Sequence, residues 1–311
     1  MLKKLFICCT ALAYATSHAA YPEKPIRFVV PFATGGTSEI IARSTANSLS
    51  TQLGQSVYVE NKPGAAGNIA MEEVKRAAPD GYTIILGHIG TLAANPALFG
   101  KKLPYDANKD FAPVTLIAKV PNVIAVGKTS GIKTLADLVN QAKKNPNGIT
   151  YGSAGNGSAG HLAMEYFASE AGIDLMHVPY KGSGPMLTDL IGGQTKATFN
   201  GLPSLIGQIK GGALIPLAVG SSTRSPSLPN VPTIAESGYK GFETSQWYGV
   251  LVPAGTPKDI INKLHKEISI ALKSKEGTKR MVEDGASLVG SSPEEFSKFI
   301  KSEQDRWAKV I

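Results

Sequence analysis

The sequence predicts an α/β protein in which open, largely parallel sheets are covered by helices. Three observations predict this class: short apolar runs rich in β-branched residues, amphipathic stretches between them, and Gly-rich turns at their junctions. The apolar runs lie at residues 26–30, 57–59, 83–86, 123–126, 149–151 and 176–178. A chain of 311 residues has the length of two ordinary domains.

The first residues have the pattern of a secretory signal peptide. Lys3 and Lys4 precede an almost wholly apolar run, which a polar break then ends. Because this run is shorter than the roughly twenty residues that a membrane-spanning helix needs, it predicts export rather than a membrane anchor. Small residues at Ser17 and Ala19 predict cleavage after Ala19, so residues 1–19 form the signal peptide and the mature protein is expected in the periplasm.

Composition excludes several classes of function. Both cysteines of the chain, Cys8 and Cys9, lie in the predicted signal peptide, so we expect no cysteine catalysis, disulfide or Cys-based metal site downstream. The net charge of +8 arises from scattered lysines, without a long basic run or interleaved aromatic residues. That pattern is typical of a solvated surface rather than a nucleic-acid interface. Neither a cofactor nor a metal ion is expected.

Several helix starts can be predicted from their capping residues. Thr134 and Asp137 form a capping-box pattern, and Thr256 and Ser292 each precede a proline at the first helical position with acid in the first turn. The last of these patterns predicts a C-terminal helix from 293 to 310. A further helix is expected to begin at Thr37 or Ser38.

The loop after the first strand combines two glycines with the start of that helix. Ligands of open α/β sheets bind in the crevice beyond the carboxyl ends of the strands, and a helix start in this place binds anions through free N–H groups. An ordinary strand-to-helix turn has the same composition, so both interpretations stay open on spacing alone. The candidate ligand-binding residues in this loop are Phe32, Ala33, Thr34, Gly35, Gly36, Thr37 and Ser38.

A second Gly-rich loop follows the strand at 149–151 and precedes another amphipathic helix. Its glycines and serines offer a concave row of backbone donors and two hydroxyl groups. Gly155, Gly157 and Gly160 also match the dinucleotide pattern G-x-G-x-x-G, but the acidic residue that should end the next strand is missing. The candidate ligand-binding residues here are Ser153, Ala154, Asn156, Gly157, Ser158 and the nearby His161.

Three further strand ends are expected at the same crevice. They contribute His88 and Thr91, Tyr180, and the pair Phe199 and Asn200. No His, Asp or Glu spacing of a metal site accompanies the histidines, and no G-x-S-x-G nucleophile elbow is present. The sequence therefore predicts a binding site without catalytic residues.

Six motifs in this order resemble the Bug receptors, the extracytoplasmic component of tripartite tricarboxylate transporters. They include Asn-Lys-Pro-Gly-Ala-Ala-Gly-Asn-Ile at 61–69 and Val-Pro-Tyr-Lys-Gly at 178–182, and the resemblance covers essentially the whole mature chain. The remaining motifs lie at 31–36, 78–83, 152–162 and 251–257.

The resemblance implies a periplasmic binding protein, type II-like, with two α/β lobes that close over a carboxylate ligand. It places residues 20–121 plus 246–311 in the first lobe and 122–245 in the second. The expected partners are a di- or tricarboxylate or related organic acid and the membrane subunits of a transporter, and a monomer is expected. Two alternatives stay open: an exported hydrolase that uses Ser153 or Ser158 with His161, and a ligand sensor for a signalling partner.

The chain departs from the usual family pattern at three positions. Glu39 replaces the common Asp, Thr34 stands where proline is frequent, and Asn200 stands where an acid often follows Phe199. A neutral Asn200 leaves a ligand ammonium group without a partner, which disfavours an amino-acid ligand. His88 is expected to add a second, pH-sensitive anion contact.

Overall fold

A computed structural model describes residues 21–311, so the predicted signal peptide, residues 1–19, lies outside the described residues. The strands are β1 (Ile26–Val30), β2 (Val57–Asn61), β3 (Thr83–His88), β4 (Phe111–Gly127), β5 (Thr150–Ser153), β6 (Met176–Pro179), β7 (Ala197–Gly201), β8 (Leu214–Val219), β9 (Ser245–Pro253) and β10 (Ser287–Leu288). The α-helices are α1 (Thr37–Leu53), α2 (Asn68–Val74), α3 (Asn95–Phe99), α4 (Leu135–Lys144), α5 (Ala159–Ala171), α6 (Ser183–Ile191), α7 (Leu202–Lys210), α8 (Lys258–Lys273), α9 (Lys275–Glu283) and α10 (Pro293–Val310).

The strands pair in the order β2-β1-β3-β9-β4-β7-β5-β6, with β8 and β10 also pairing with β4. The outer strands pair in parallel, as β1 does with β2 and β3, and β5 with β6 and β7. In contrast, β4 and β9 are antiparallel to each other and to their other neighbours. The prediction of largely parallel sheets is therefore wrong at the centre, because two long strands return through it in the opposite direction.

Strand β4 joins two lobes. Its first part, from Phe111 to Pro121, pairs with β9, and its second part, from Asn122 to Gly127, pairs with β7 on one side and β8 on the other. We call the elements around β2-β1-β3-β9 the first lobe and those around β7-β5-β6 the second lobe. The lobe boundaries drawn at 121/122 and 245/246 stay a prediction.

Each lobe buries apolar side chains on both faces of its strands. Phe28 and Val30 face one side of β1 and pack with α1 and α8, whereas Val29 faces the other side and packs with Trp247 and Phe296. This alternation is the two-residue period of a strand. The second lobe has the same plan, with helices covering both faces of β4, β5 and β7. Both lobes are therefore three-layer α/β units.

The capping box predicted at Thr134 and the cap predicted at Ser292 are confirmed. Ser292 also forms a capping box, because at both positions the hydroxyl accepts the N–H of the residue three positions later and that residue's carboxylate accepts in return. The prediction for Thr256 is wrong by one position. The residue before α8 is Pro257, and the Thr256 hydroxyl donates to the Pro253 carbonyl. Helix α1 begins at Thr37. Within residues 21–311, no helix has the length and apolar character required to cross a bilayer.

Candidate ligand-binding cleft

An inner pocket lies between the two lobes, over the crossing strand β9. The side chains that line it carry no acid, lysine or arginine, so a charge placed inside this pocket would be balanced by dipoles and hydrogen bonds. The lining residues are Phe32, Ala33, Gly36, Thr37, Ser38, His88, Ala154, Ser158, Ala159, Gly160, Ser183, Asn200, Gln246 and Tyr248.

The first lobe contributes the start of α1 to this pocket. Gly36 precedes the helix in an extended conformation, and the first helical N–H groups to find a backbone acceptor are those of Glu39 and Ile40, which donate to the Gly36 carbonyl at 3.1 and 3.2 Å. The N–H groups of Thr37 and Ser38 come before Glu39 in the chain and take no part in these two hydrogen bonds. They lie at the positive end of a 17-residue helix, where an anion is stabilised.

Glu39 fixes the shape of the loop that leads into α1. One carboxylate oxygen accepts the N–H of Gly35 at 2.6 Å, and the other accepts Nε of Arg43 at 2.7 Å. Gly35 has φ +83°, a left-handed conformation that glycine adopts without steric cost. Its N–H is therefore used inside the protein, and Gly35 supports the loop instead of lining the pocket.

The second lobe contributes the start of α5. Ser158 is the residue before the helix, and its hydroxyl accepts the His161 N–H at 3.4 Å. The Ser153 hydroxyl lies 2.7 Å from Nε2 of His177, and Ser153 is only 1% exposed. The Gly157 N–H donates to Nδ1 of His161 at 3.2 Å. The prediction that Ser153 and Gly157 donate to a ligand needs correction, because both groups already bind neighbours within the lobe.

Stacked aromatic rings support this second loop from behind. The His177 ring centroid lies 4.1 Å from that of His161 and 4.8 Å from that of Tyr151, whose hydroxyl donates to Glu165. Burial, together with repulsion from His161, lowers the pKa of His177 to about 4, and burial also lowers the pKa of His161. Both imidazoles are therefore neutral at physiological pH, which leaves Nδ1 of His161 free to accept the N–H of Gly157.

His88 is a buried, neutral hydrogen-bond donor rather than a pH-sensitive anion contact. It is 3% exposed, and its Nδ1 accepts the N–H groups of Gly90 at 2.6 Å and Thr91 at 3.2 Å. Burial lowers its pKa to about 4. Since Nδ1 accepts, the single proton lies on Nε2. This corrects the expectation of a charge change near neutral pH. Thr91 is fully buried and bonds His88 and the Tyr105 hydroxyl, so it supports the pocket from behind.

The floor of the pocket is a buried network of neutral polar side chains that connects the lobes. Gln246 on β9 donates to Asn122 on β4 at 2.7 Å and accepts from the Tyr248 hydroxyl. Asn200 at the end of β7 donates to the Ser183 hydroxyl at 2.9 Å. All five residues are at most 6% exposed. The network therefore keeps the floor rich in donors and free of charge.

An outer chamber of about 370 Å³ adjoins the inner pocket and shares Phe32 and Ala154 with it. Ala65 and Ala66 in its wall have φ of +46° and +59°, a conformation that is strained for residues with a side chain. Lys181 is the one cationic residue among those that line the described chamber. The other lining residues are Pro63, Gly64, Gly67, Phe99, Gly155, Asn156, Pro179 and Tyr180.

The structure brings most of the predicted site residues to these two spaces. Eleven of the predicted residues line them: Phe32, Ala33, Gly36, Thr37, Ser38, His88, Ala154, Asn156, Ser158, Tyr180 and Asn200. Seven predicted residues do not occur among the described linings: Thr34, Gly35, Thr91, Ser153, Gly157, His161 and Phe199.

Three polar residues of the pocket were not among the candidate ligand-binding residues. Ser183 follows the recognised loop at 179–182, so its position at a helix start was the available signal. Gln246 and Tyr248 lie on the crossing strand, where their alternation in an aromatic stretch could have shown that both face the same side. Their hydrogen-bond partners on other elements cannot be read from the local sequence.

The arrangement disfavours the Ser/His hydrolase alternative. Ser158 bonds the backbone N–H of His161 rather than its imidazole, and the serine that does meet an imidazole, Ser153, is buried. Within residues 21–311, no three His, Cys, Asp or Glu side chains lie close enough together to hold a metal ion. The inner pocket is lined by neutral polar and apolar residues, without a charged side chain.

Comparisons with known proteins agree with this architecture. Residues 41–311 match the model of the tripartite tricarboxylate transporter family receptor. The protein BugT of Bordetella pertussis is 36% identical over 307 residues, which cover 99% of this chain and 94% of BugT.

Two solved structures have the same fold. Rpa4515 of R. palustris with adipate is 40% identical, with a TM-score of 0.90 over 93% of this chain and 97% of that one. MatC of Rhodopseudomonas palustris with bound malate is 32% identical, with a TM-score of 0.89 over 93% of this chain and 99% of that one. The chain therefore belongs to the tripartite tricarboxylate transporter receptor family, whose members are solute-binding receptors.

Proposed function

We propose that this protein captures a di- or tricarboxylate, or a related small organic acid, in the periplasm and delivers it to the membrane subunits of a tripartite tricarboxylate-type transporter. One observation carries the proposal: three helix starts from both lobes, those of α1, α5 and α6, meet at a pocket lined without a charged side chain. Each start presents N–H groups and a partial positive charge. Such a pocket stabilises a carboxylate and offers nothing to a cation.

The linings of the two spaces support a division of the ligand. The inner pocket supplies the N–H groups of Thr37 and Ser38, the Ser183 hydroxyl and Nε2–H of His88 for one carboxylate. The outer chamber, with small apolar residues and Lys181, accommodates the rest of the molecule. Relatives with adipate or malate bound fit this division, because both ligands carry a second carboxylate.

A ligand that contacts both lobes at once stabilises the closed state of the protein. A ligand shifts a conformational equilibrium only by its extra contacts in one state, and here those contacts come from helix starts on opposite lobes. We place the hinge at the two crossing strands, near residues 119–123 and 245–250. Membrane subunits that recognise the closed form would then select the loaded receptor.

Native mass spectrometry of freshly purified mature protein, followed by calorimetry, tests this proposal. The panel contains adipate, malate, a tricarboxylate, an acidic amino acid and an aromatic acid. We expect one carboxylate to bind one-to-one with micromolar or tighter affinity, about −8 kcal/mol. Saturation without product formation supports a receptor, whereas turnover of ester or amide substrates by the same preparation would contradict the proposal, as would no binding of any acid in the panel.

Delivery needs a separate test. Co-purification of the tagged protein with detergent-solubilised membrane subunits should increase when the ligand is present. If the ligand-loaded protein instead co-purifies with a signalling protein and not with the transporter, the receptor acts as a sensor.

A further inference from the structure

Two glycine-rich turns from different lobes touch beside the inner pocket. Thr34 and Gly35 belong to the loop before α1, and Gly184 lies in the first turn of α6. A Cβ atom built on Gly184 would lie 2.8 Å from the Thr34 carbonyl oxygen, and one built on Gly35 would lie 3.2 Å from Cα of Gly184. Real Cβ atoms essentially never approach within 3.0 Å of such an atom. The two backbones therefore approach so closely that no side chain fits between them.

Gly184 differs from the other glycines of this contact. Gly35 and Gly182 have φ of +83° and +149°, so any side chain there is strained whatever the neighbours. Gly184 has no positive φ, lies inside α6, and belongs to neither lining. The three heavy atoms nearest to its built Cβ, outside α6 itself, belong to Thr34 and Gly35 of the first lobe. The approach of the other lobe therefore leaves no room for a side chain at this position.

We propose that Gly184 is a positioning residue that sets how closely the two lobes approach in the closed state, and through that distance the affinity for the ligand. The part that concerns affinity rests on the proposed function. The helix starts of both lobes must reach one carboxylate at hydrogen-bond distance, so an added separation of a few tenths of an ångström weakens every contact from one side. The open state, in which the turns are apart, is not affected by a methyl group at this position.

Gly184→Ala is the direct test, and Gly207→Ala is its matched control. Both glycines lie in helices of the second lobe, and alanine suits a helix better than glycine does. A Cβ built on Gly207 meets nothing within 4 Å, so only the variant at position 184 adds an atom that contacts the other lobe. Thermal unfolding of the ligand-free variants shows that they fold, and Gly184→Ser provides a second small side chain at the same contact.

The distance between the lobes is measured first. Spin labels on Lys102→Cys and Lys144→Cys report it by double electron–electron resonance, since both lysines are exposed and lie on different lobes. The native cysteines, Cys8 and Cys9, precede the predicted cleavage point and do not interfere. We expect Gly184→Ala to reduce the population at the shorter, closed distance in favour of longer distances, because the added methyl group clashes only when the lobes are closed, while Gly207→Ala leaves the populations unchanged. Identical distributions for the three proteins, with or without ligand, overturn the inference.

Calorimetry then measures the consequence for binding. Overpacking of this kind predicts at least about tenfold weaker carboxylate binding by Gly184→Ala and unchanged binding by Gly207→Ala. Equal affinity of Gly184→Ala and the wild type overturns the inference and leaves the proposed function intact. If the wild type binds no acid of the panel, the proposed function fails, and the inference is decided by the ligand-free distance distributions alone.

Discussion

Acid should destabilise this protein through His88, and the magnitude follows from its burial. His88 is 3% exposed and its Nδ1 accepts two backbone N–H groups, so a proton on Nδ1 would break both hydrogen bonds. Burial lowers its pKa from 6.5 to about 4. Between these two pH values the unfolded chain binds a proton that the folded chain does not bind. The free energy of unfolding is therefore unaffected above pH 6.5 and falls as the pH falls below it.

The loss is about 2 kcal/mol at pH 5 and about 3 kcal/mol at pH 4, at about 1.4 kcal/mol for each pH unit. The variant His88→Asn isolates it, because the Asn carbonyl oxygen can accept the Gly90 N–H and does not titrate. The variant also loses the packing of the imidazole ring against Phe32, which lowers its free energy of unfolding by the same amount at every pH. Urea unfolding of both proteins between pH 7.5 and 4.5 gives the two curves.

The wild type should approach the variant in stability as the pH falls, since only the wild type pays the protonation cost of His88. Contributions from His177 are common to both proteins and cancel in the difference. His265→Asn, a histidine substitution in α8 away from the cleft, controls for the general effect of removing an imidazole. If the wild-type and His88→Asn curves run parallel over the whole range, the reasoning about His88 is refuted.

Three further predictions concern the cleft and one helix start. Asn200→Asp places a charge on the pocket floor, so carboxylate binding should weaken at least about tenfold in calorimetry while an amino-acid ligand gains relative affinity; unchanged preference would contradict this. Gly157→Val should abolish binding, because Gly157 has φ +73° and its built Cβ lies 3.2 Å from Oδ1 of Asn95. Lys181→Ala should retain affinity within about threefold. Normal binding by Gly157→Val together with loss of binding by Lys181→Ala would disprove an anion site made of neutral donors. Thr134→Ala removes a capping box and should cost about 1 kcal/mol, read as a fall of roughly 2–4 °C in Tm; no change would show that α4 does not depend on its cap.

The sequence predicted the helix starts correctly where neighbouring residues alone determine them. The capping boxes at Thr134 and Ser292 depend on residues three positions apart, and the helix starts at the pocket depend on a strand followed by glycines. Strand β4 was predicted only at 123–126, although it runs from Phe111 to Gly127. Its apolar pattern is interrupted by Pro113, Lys119 and Pro121. The strand is nevertheless continuous because it forms hydrogen bonds with β9, which lies more than 100 residues later in the chain.

Side-chain partners within the site could not be predicted in the same way. Ser153 was expected to face the ligand, and a serine in a Gly-rich loop has the same sequence signal whether its hydroxyl faces the cleft or His177. Gly157 and His161 satisfy each other for the same reason. The prediction identified the loops correctly as a group, but which N–H groups remain available depends on residues that only the fold brings together.

The uncharged inner pocket has a consequence for the surroundings in which the protein works. Dissolved salt screens interactions between exposed charges, with a screening length of about 10 Å at 0.1 M, but it acts weakly on buried amide dipoles in direct contact with a guest. If the Thr37 and Ser38 amides, which line the pocket, hold the carboxylate as proposed, binding should therefore keep its strength when the medium outside the cell changes from dilute to brackish. Discrimination against abundant inorganic anions would then depend on the shape of the pocket and on contacts in the outer chamber.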